Sequence, residues 1–224
     1  SAKLYQMPDS TNTKLVLNGS DGTEEPIKYL DFSQNPQSEN PPWSYVYSAN
    51  NQPDSIDGAF YPGYYLPENR AKRITELLET KSDWDLESTS KMITDITSSV
   101  NPTIAKHLLK FLTITDLSPE LIKQLDKLAQ WNGEADLTSV ESTIYHRWMY
   151  LILQNTLEDE LGENMFNQLM STHFSKRMIA GLVKNESSVW WDNVSTIDTT
   201  ETQKEIVQIS FSEAMKELKN SSIL

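Results

Sequence analysis

The residues best suited to chemistry lie in SANNQPDSIDGAFYPGYYLPENRAKRI, positions 48 to 74, where two side-chain amides, several aromatics and two arginines fall close together. An asparagine amide donates N–H to a developing oxyanion without itself titrating. In a dry site one such donor stabilises a transition state by roughly 3 kcal/mol. Asn50 and Asn51 are the candidates for that role, and they also read as turn residues ahead of Pro53. Arg70 and Arg73 stand three apart, on neighbouring positions of one helical face. Their guanidinium forks suit a carboxylate or carbonyl, and they read equally well as surface charges whose stems cover apolar neighbours.

These residues sit at a change in composition. Residues 1–66 are rich in Pro, Asn, Ser, Gly and aromatics, with short apolar alternations in KLVLNG and SYVYSANN and turn signals at Asn18-Gly19 and Asp21-Gly22. This segment is expected to form short strands and long ordered loops. Residues 67–224 carry glycine only at 133, 162 and 181 and place apolar residues at helical spacing throughout, so an all-α bundle of about seven to nine helices is expected there. Ser82 before Asp85, Thr138 before Glu141 and Thr200 before Gln203 read as helix starts, as do Pro102 and Ser118-Pro119. A one-sided helix over 119–130 buries Leu121, Ile122, Leu125, Leu128 and Ala129. A last helix over about 200–219 buries Val207, Phe211, Ala214 and Leu218. No repeat of fixed period appears, which argues against a solenoid.

With 224 residues, 38% hydrophobic and 23% charged, the chain is long enough for one large domain or a small and a larger one. Its net charge of −13 and lack of a basic stripe argue against nucleic acid as a partner. There is no cysteine, hence no disulfide or thiolate metal site, and no apolar run approaches a membrane span. His107, His146 and His173 are scattered without a paired-ligand pattern. Trp131, Trp190 and Trp191 read as packing anchors, and Asp83, Asp85 and Glu87 as acids favoured at a helix start. Met165, Met170 and Met178 read as part of a Met-rich core.

NPPWSYVYSANNQP followed by GYYLPENRAKRITELL resembles the penicillin acylase family, in which an Asn-Asn pair precedes a proline and an Arg-x-x-Arg-Ile helix follows. The likeness continues through DITSSVNPTIAKHLLKFL, WNGEADLTSVESTIYHRW, the Trp-Trp-Asp at 190–192 and ETQKEIVQISFSEAMKEL, from about residue 15 to about 218. It implies an internal piece of the β subunit of an N-terminal-nucleophile amidohydrolase. In such enzymes an exposed N-terminal serine uses its own amine as base for acyl transfer from an amide. The first 66 residues would then belong to the αββα sandwich of the parent enzyme.

The resemblance makes Asn50 the side-chain half of the oxyanion hole and Arg73 an arginine that orients the nucleophile region, with Asn51 and Arg70 in support. Ser1 departs from the pattern: Ala2 and Lys3 follow it where the family's serine is followed by asparagine, and too short a stretch separates it from the Asn pair. It reads as a truncation point or cloning remnant, so the chain alone is expected to be inactive. Some members of the family hold calcium through an aspartate, but Tyr61 and Pro62 lie near the matching place, and Asp54 and Asp57 fall closer to the asparagines. No cofactor is therefore expected from this segment, and calcium in the parent enzyme stays an alternative. The implied partners are the remainder of the β subunit, the α subunit and a small acyl-amide substrate, in a periplasmic or extracellular setting. The alternatives are hydrolysis of acyl-homoserine lactones, which the family also carries out, and a non-catalytic helical interaction module.

Overall fold

The computed structural model describes residues 4–8, 11–13, 15–58, 61–113 and 118–221. The chain divides into two compact units, Ser1–Ser82 and Asp83–Leu224. The division falls beyond the composition change at 66/67, because the first helix of the helical part hydrogen-bonds back into the loop-rich part: Arg70 reaches Ala49 and Asn50, and Tyr45 donates to Glu79.

In the first unit the strands are two short ones, β1 (Tyr5–Gln6) and β2 (Lys28–Tyr29), paired antiparallel. Neither expected alternation forms a strand: residues 15–19 and 44–51 run as irregular chain. An alternating segment becomes a strand only when a neighbouring strand takes its backbone groups and a layer covers its apolar face. Here Val16 is 99% exposed, and Leu15 and Val46 are also exposed. Order in this unit comes instead from buried anchors such as Met7, Ala49, Tyr61 and Ala71. Tyr61 is the largest, and its hydroxyl donates to the Gln34 carbonyl at 2.6 Å. The unit ends with α1 (Asn69–Leu78).

The second unit holds, among the described residues, six helices: α2 (Leu86–Ile93), α3 (Asn101–Leu108), α4 (Pro119–Gln130), α5 (Val140–Met170), α6 (Phe174–Lys184) and α7 (Gln203–Asn220). With α1, the chain is mainly α. The first half of α5 is buried almost all round, from Ile144 and Tyr145 through Trp148, Ile152 and Leu153 to Leu157, as a central helix must be. Against it lies the buried stripe of α7: Ile206, Val207, Phe211, Ala214 and Leu218. Trp148 is fully buried. Its Nε1 donates to the Val207 carbonyl at 3.0 Å, and its ring meets Phe211 edge-on with centroids 5.1 Å apart. Gly162 then leaves the helical conformation (φ 72°, ψ 155°) and kinks α5.

Helix α4 spans the expected residues, capped by Ser118, which accepts from the Leu121 amide. The other caps fall one to three residues past the expected ones. Asp85 caps α2 with Ser88, Ser139 caps α5, and Thr202 caps α7 in a reciprocal box with Glu205. Several Ser, Thr and Asp residues precede each helix, and the turn selects among them. Thr138, for example, is already bonded to Asp136. Met165 lies exposed, outside the Met-rich core, while Met170 and Met178 pack against that core.

Gly133, which follows the α4 stop at Trp131, has φ 95°, and an added Cβ would stand 2.0 Å from the Ser98 carbonyl oxygen. Gly181, within α6, has nothing within 4 Å of such an atom. Gly133→Ala should therefore destabilise the chain by roughly 2 kcal/mol or more, whereas Gly181→Ala should stabilise it by roughly 1 kcal/mol. Urea denaturation midpoints of the two variants test the opposite signs.

Candidate functional site

Asn50 is a non-glycine residue with left-handed backbone, φ 60°, a conformation asparagine tolerates better than most side chains. Three hydrogen bonds hold its surroundings. The Asn50 carbonyl accepts from the Leu66 amide at 2.7 Å, which closes the loop between them onto itself. Arg70 Nη2 donates to Asn50 Oδ1 at 2.8 Å and to the Ala49 carbonyl at 2.9 Å. Ala49 is itself buried, so the left-handed turn is anchored on the residue before it.

An arginine offers only donors, so the end of the Asn50 amide that faces Arg70 is the oxygen. Nδ2 is then turned away from Arg70, and it makes no hydrogen bond among the described residues, on a residue that is exposed. The site thus presents an amide donor fixed at its other end. Asn51 does different work: its Oδ1 accepts from the Ala49 amide and its Nδ2 donates to the Gln52 carbonyl, so its amide serves the turn. The turn reading thus fits Asn51, whose amide is used within the turn, while the Asn50 amide is bonded only through its oxygen among the described residues.

Arg73 lies one helical turn past Arg70 on α1, and its guanidinium pairs with Glu76 at 3.5 Å. The bond to Asn50 comes from Arg70. Sequence spacing offered both arginines and had no means of choosing between them, and nothing in the sequence marked the Leu66 amide or the Ala49 carbonyl as anchors. The Tyr61 hydroxyl donates to the Gln34 carbonyl and Pro62 has no side-chain oxygen, while Asp54 and Asp57 are both exposed. Among the described residues no group of three or more His, Cys, Asp or Glu side chains that could hold a metal ion is found. Ser1 lies outside the described residues.

Two features of the second unit compete for attention. A cavity of about 480 Å³ at the α4–α5 junction is lined by Lys127, Trp131, Glu134, Asp136 and neighbours, and contains none of the candidate residues. Trp131 Nε1 is taken by the Glu134 carbonyl there. The other is Glu160, whose carboxyl is pushed up to about 7 by burial first, then by the hydrogen bond and charge of Asp159, and further by Asp192. These acids serve a structural junction: Asp159 accepts from the Val194 amide and Asp192 from the Glu201 amide, while the neighbouring Trp191 is buried and donates to the Asn185 carbonyl.

Comparison with known proteins bears on the family and the fold. The penicillin amidase family profile matches residues 1–223. No curated protein matches the chain. Among solved structures, a thermostable penicillin G acylase from Alcaligenes faecalis is similar in fold, with TM-score 0.65 and 19% identity, over 98% of this chain and 43% of that one. This chain thus spans less than half the length of that relative.

A Glu160 pKa above its unfolded value means that the native state holds the proton more tightly. The resulting stabilisation is complete below the ordinary glutamate range and is lost as pH rises through about 7. Stability should fall between about pH 5 and pH 8, with a shallower fall in Glu160→Gln. Equal slopes in the two proteins, read from urea midpoints, would contradict this.

Proposed function

This chain belongs to the penicillin amidase family, and from that premise we propose that the protein containing it hydrolyses an acyl amide, with Asn50 as the side-chain half of the oxyanion hole. The observation that carries the reading is the Asn50 amide, held through Oδ1 with Nδ2 unpaired among the described residues. The nucleophile is an N-terminal serine outside this chain. Its oxygen bonds to the substrate carbonyl carbon while its proton passes to its own amine, and the carbonyl oxygen takes up negative charge. Asn50 Nδ2–H and a backbone N–H from elsewhere in the enzyme receive that charge. Collapse breaks the C–N bond, the amine leaves with a proton, and water then hydrolyses the acyl-serine ester.

Arg73, paired with Glu76 on α1, orients the nucleophile region. Asn51 shapes the turn. The rest of the β subunit and the α subunit cover the apolar residues that the first unit leaves exposed, such as Val16 and Phe32. No described helix is long and apolar enough to cross a membrane; the setting proposed for the enzyme is periplasmic or extracellular. Hydrolysis of an acyl-homoserine lactone uses the same oxyanion donor and is the second reading.

Because Asn50 has φ 60°, Asn50→Gly removes the donor without backbone strain and is a cleaner probe than alanine. In the matured full-length enzyme, Asn50→Gly should lower kcat on a chromogenic phenylacetyl anilide by roughly 100-fold or more, with little change in KM. Near-wild-type kcat would make Asn50 a turn residue only. A strong preference for acyl-homoserine lactones over anilides would favour the second reading. The 224-residue chain alone should turn over neither substrate; activity abolished by Ser1→Ala would show that it carries its own nucleophile.

A further inference from the structure

We infer that Arg70 is the positioning residue of the oxyanion donor: it fixes which end of the Asn50 amide faces the reacting carbonyl. This rests on the oxyanion reading of Asn50 given above. A terminal amide has two faces of opposite character, one accepting and one donating, and the two orientations differ by a half-turn about the side chain's last bond. An amide without a partner would present the wrong end part of the time, and its oxygen repels a developing oxyanion. Arg70 removes that ambiguity. Its Nη2 donates to Asn50 Oδ1 at 2.8 Å, and the flipped amide would set N–H against N–H.

The guanidinium does not depend on Asn50 for its own place, because the same nitrogen also donates to the Ala49 carbonyl at 2.9 Å. The clamp is therefore set before substrate arrives, and it survives removal of the Asn50 side chain. The Leu66 amide holds the Asn50 backbone from the other side at 2.7 Å. A cation on Oδ1 also draws electron density from the amide and makes Nδ2–H a stronger donor. Substrate meets only Nδ2, and Arg70 acts through Asn50 without touching the reacting atoms.

A mutant cycle in the matured full-length enzyme tests this, with kcat and KM measured on a chromogenic phenylacetyl anilide. Arg70→Ala should lower kcat by roughly 10-fold or more while KM stays within about threefold. The same substitution in the Asn50→Gly background should cost nothing further, because there is no amide left to orient. Arg70→Lys, which keeps a cationic donor, should recover part of the loss. Lys72→Ala, on the same helix and outside the site, should mature and react normally. If Asn50→Gly itself keeps kcat, the oxyanion reading falls and takes this inference with it. If Asn50→Gly is impaired but Arg70→Ala is not, or the two losses multiply, the inference falls alone. Failure of Arg70→Ala, Arg70→Lys and Arg70→Gln all to mature, when Lys72→Ala matures, would make Arg70 a scaffold residue and overturn it too.

Discussion

A single arginine nitrogen shared between the Ala49 carbonyl and the Asn50 side-chain oxygen joins α1 to the loop before it, and the candidate site depends on that linkage. Without it the loop's asparagine would be one more exposed polar residue in a segment with little regular structure. The bond ties a loop, which adopts a left-handed turn at Asn50, to a helix, which cannot drift as a loop can. The compact units divide after Ser82, with α1 in the same unit as this loop. The two links to the carbonyls of Ala49 and Asn50, from Arg70 and Leu66, use only backbone acceptors, so they do not depend on the side chain at position 50.

The second unit is organised by a different constraint. Trp148 on α5 is fully buried against α7, with its indole N–H on the Val207 carbonyl and its ring in edge contact with Phe211. Polar contacts flank this core: Asn155 donates to Ser210 and Glu213, and Arg147 pairs with Glu217. These fix the register of the two helices, while apolar burial supplies the stability. None of the candidate residues lies in this unit.

The helical part was legible because its signal is local. A period near 3.6 needs no distant partner to be read, and α4 spans the residues that the pattern between Ser118 and Trp131 demands. The buried positions of α7 followed from the same count. Cap residues were less legible, since Thr138 and Ser139 satisfy the same rule and only the Asp136 turn separates them. The strands expected in the first unit failed for a non-local reason: alternation says which face would be apolar, never whether a neighbouring strand is present. The site was half legible in the same sense. Residue chemistry and family resemblance marked Asn50 and both arginines. Which arginine holds the amide is decided by the path of the loop between Asn50 and Leu66, which no spacing rule describes.

The proposed function rests on one atom, Nδ2 of Asn50. The most direct test is a crystal structure of the matured full-length enzyme with a boronic acid bonded to its nucleophilic serine, so that a tetrahedral boronate oxygen occupies the oxyanion position. The account predicts Asn50 Nδ2 at about 2.7–3.1 Å from that oxygen, with Arg70 still bonded to Oδ1. A boronate oxygen held by other donors, with the Asn50 side chain turned away from it, would contradict it.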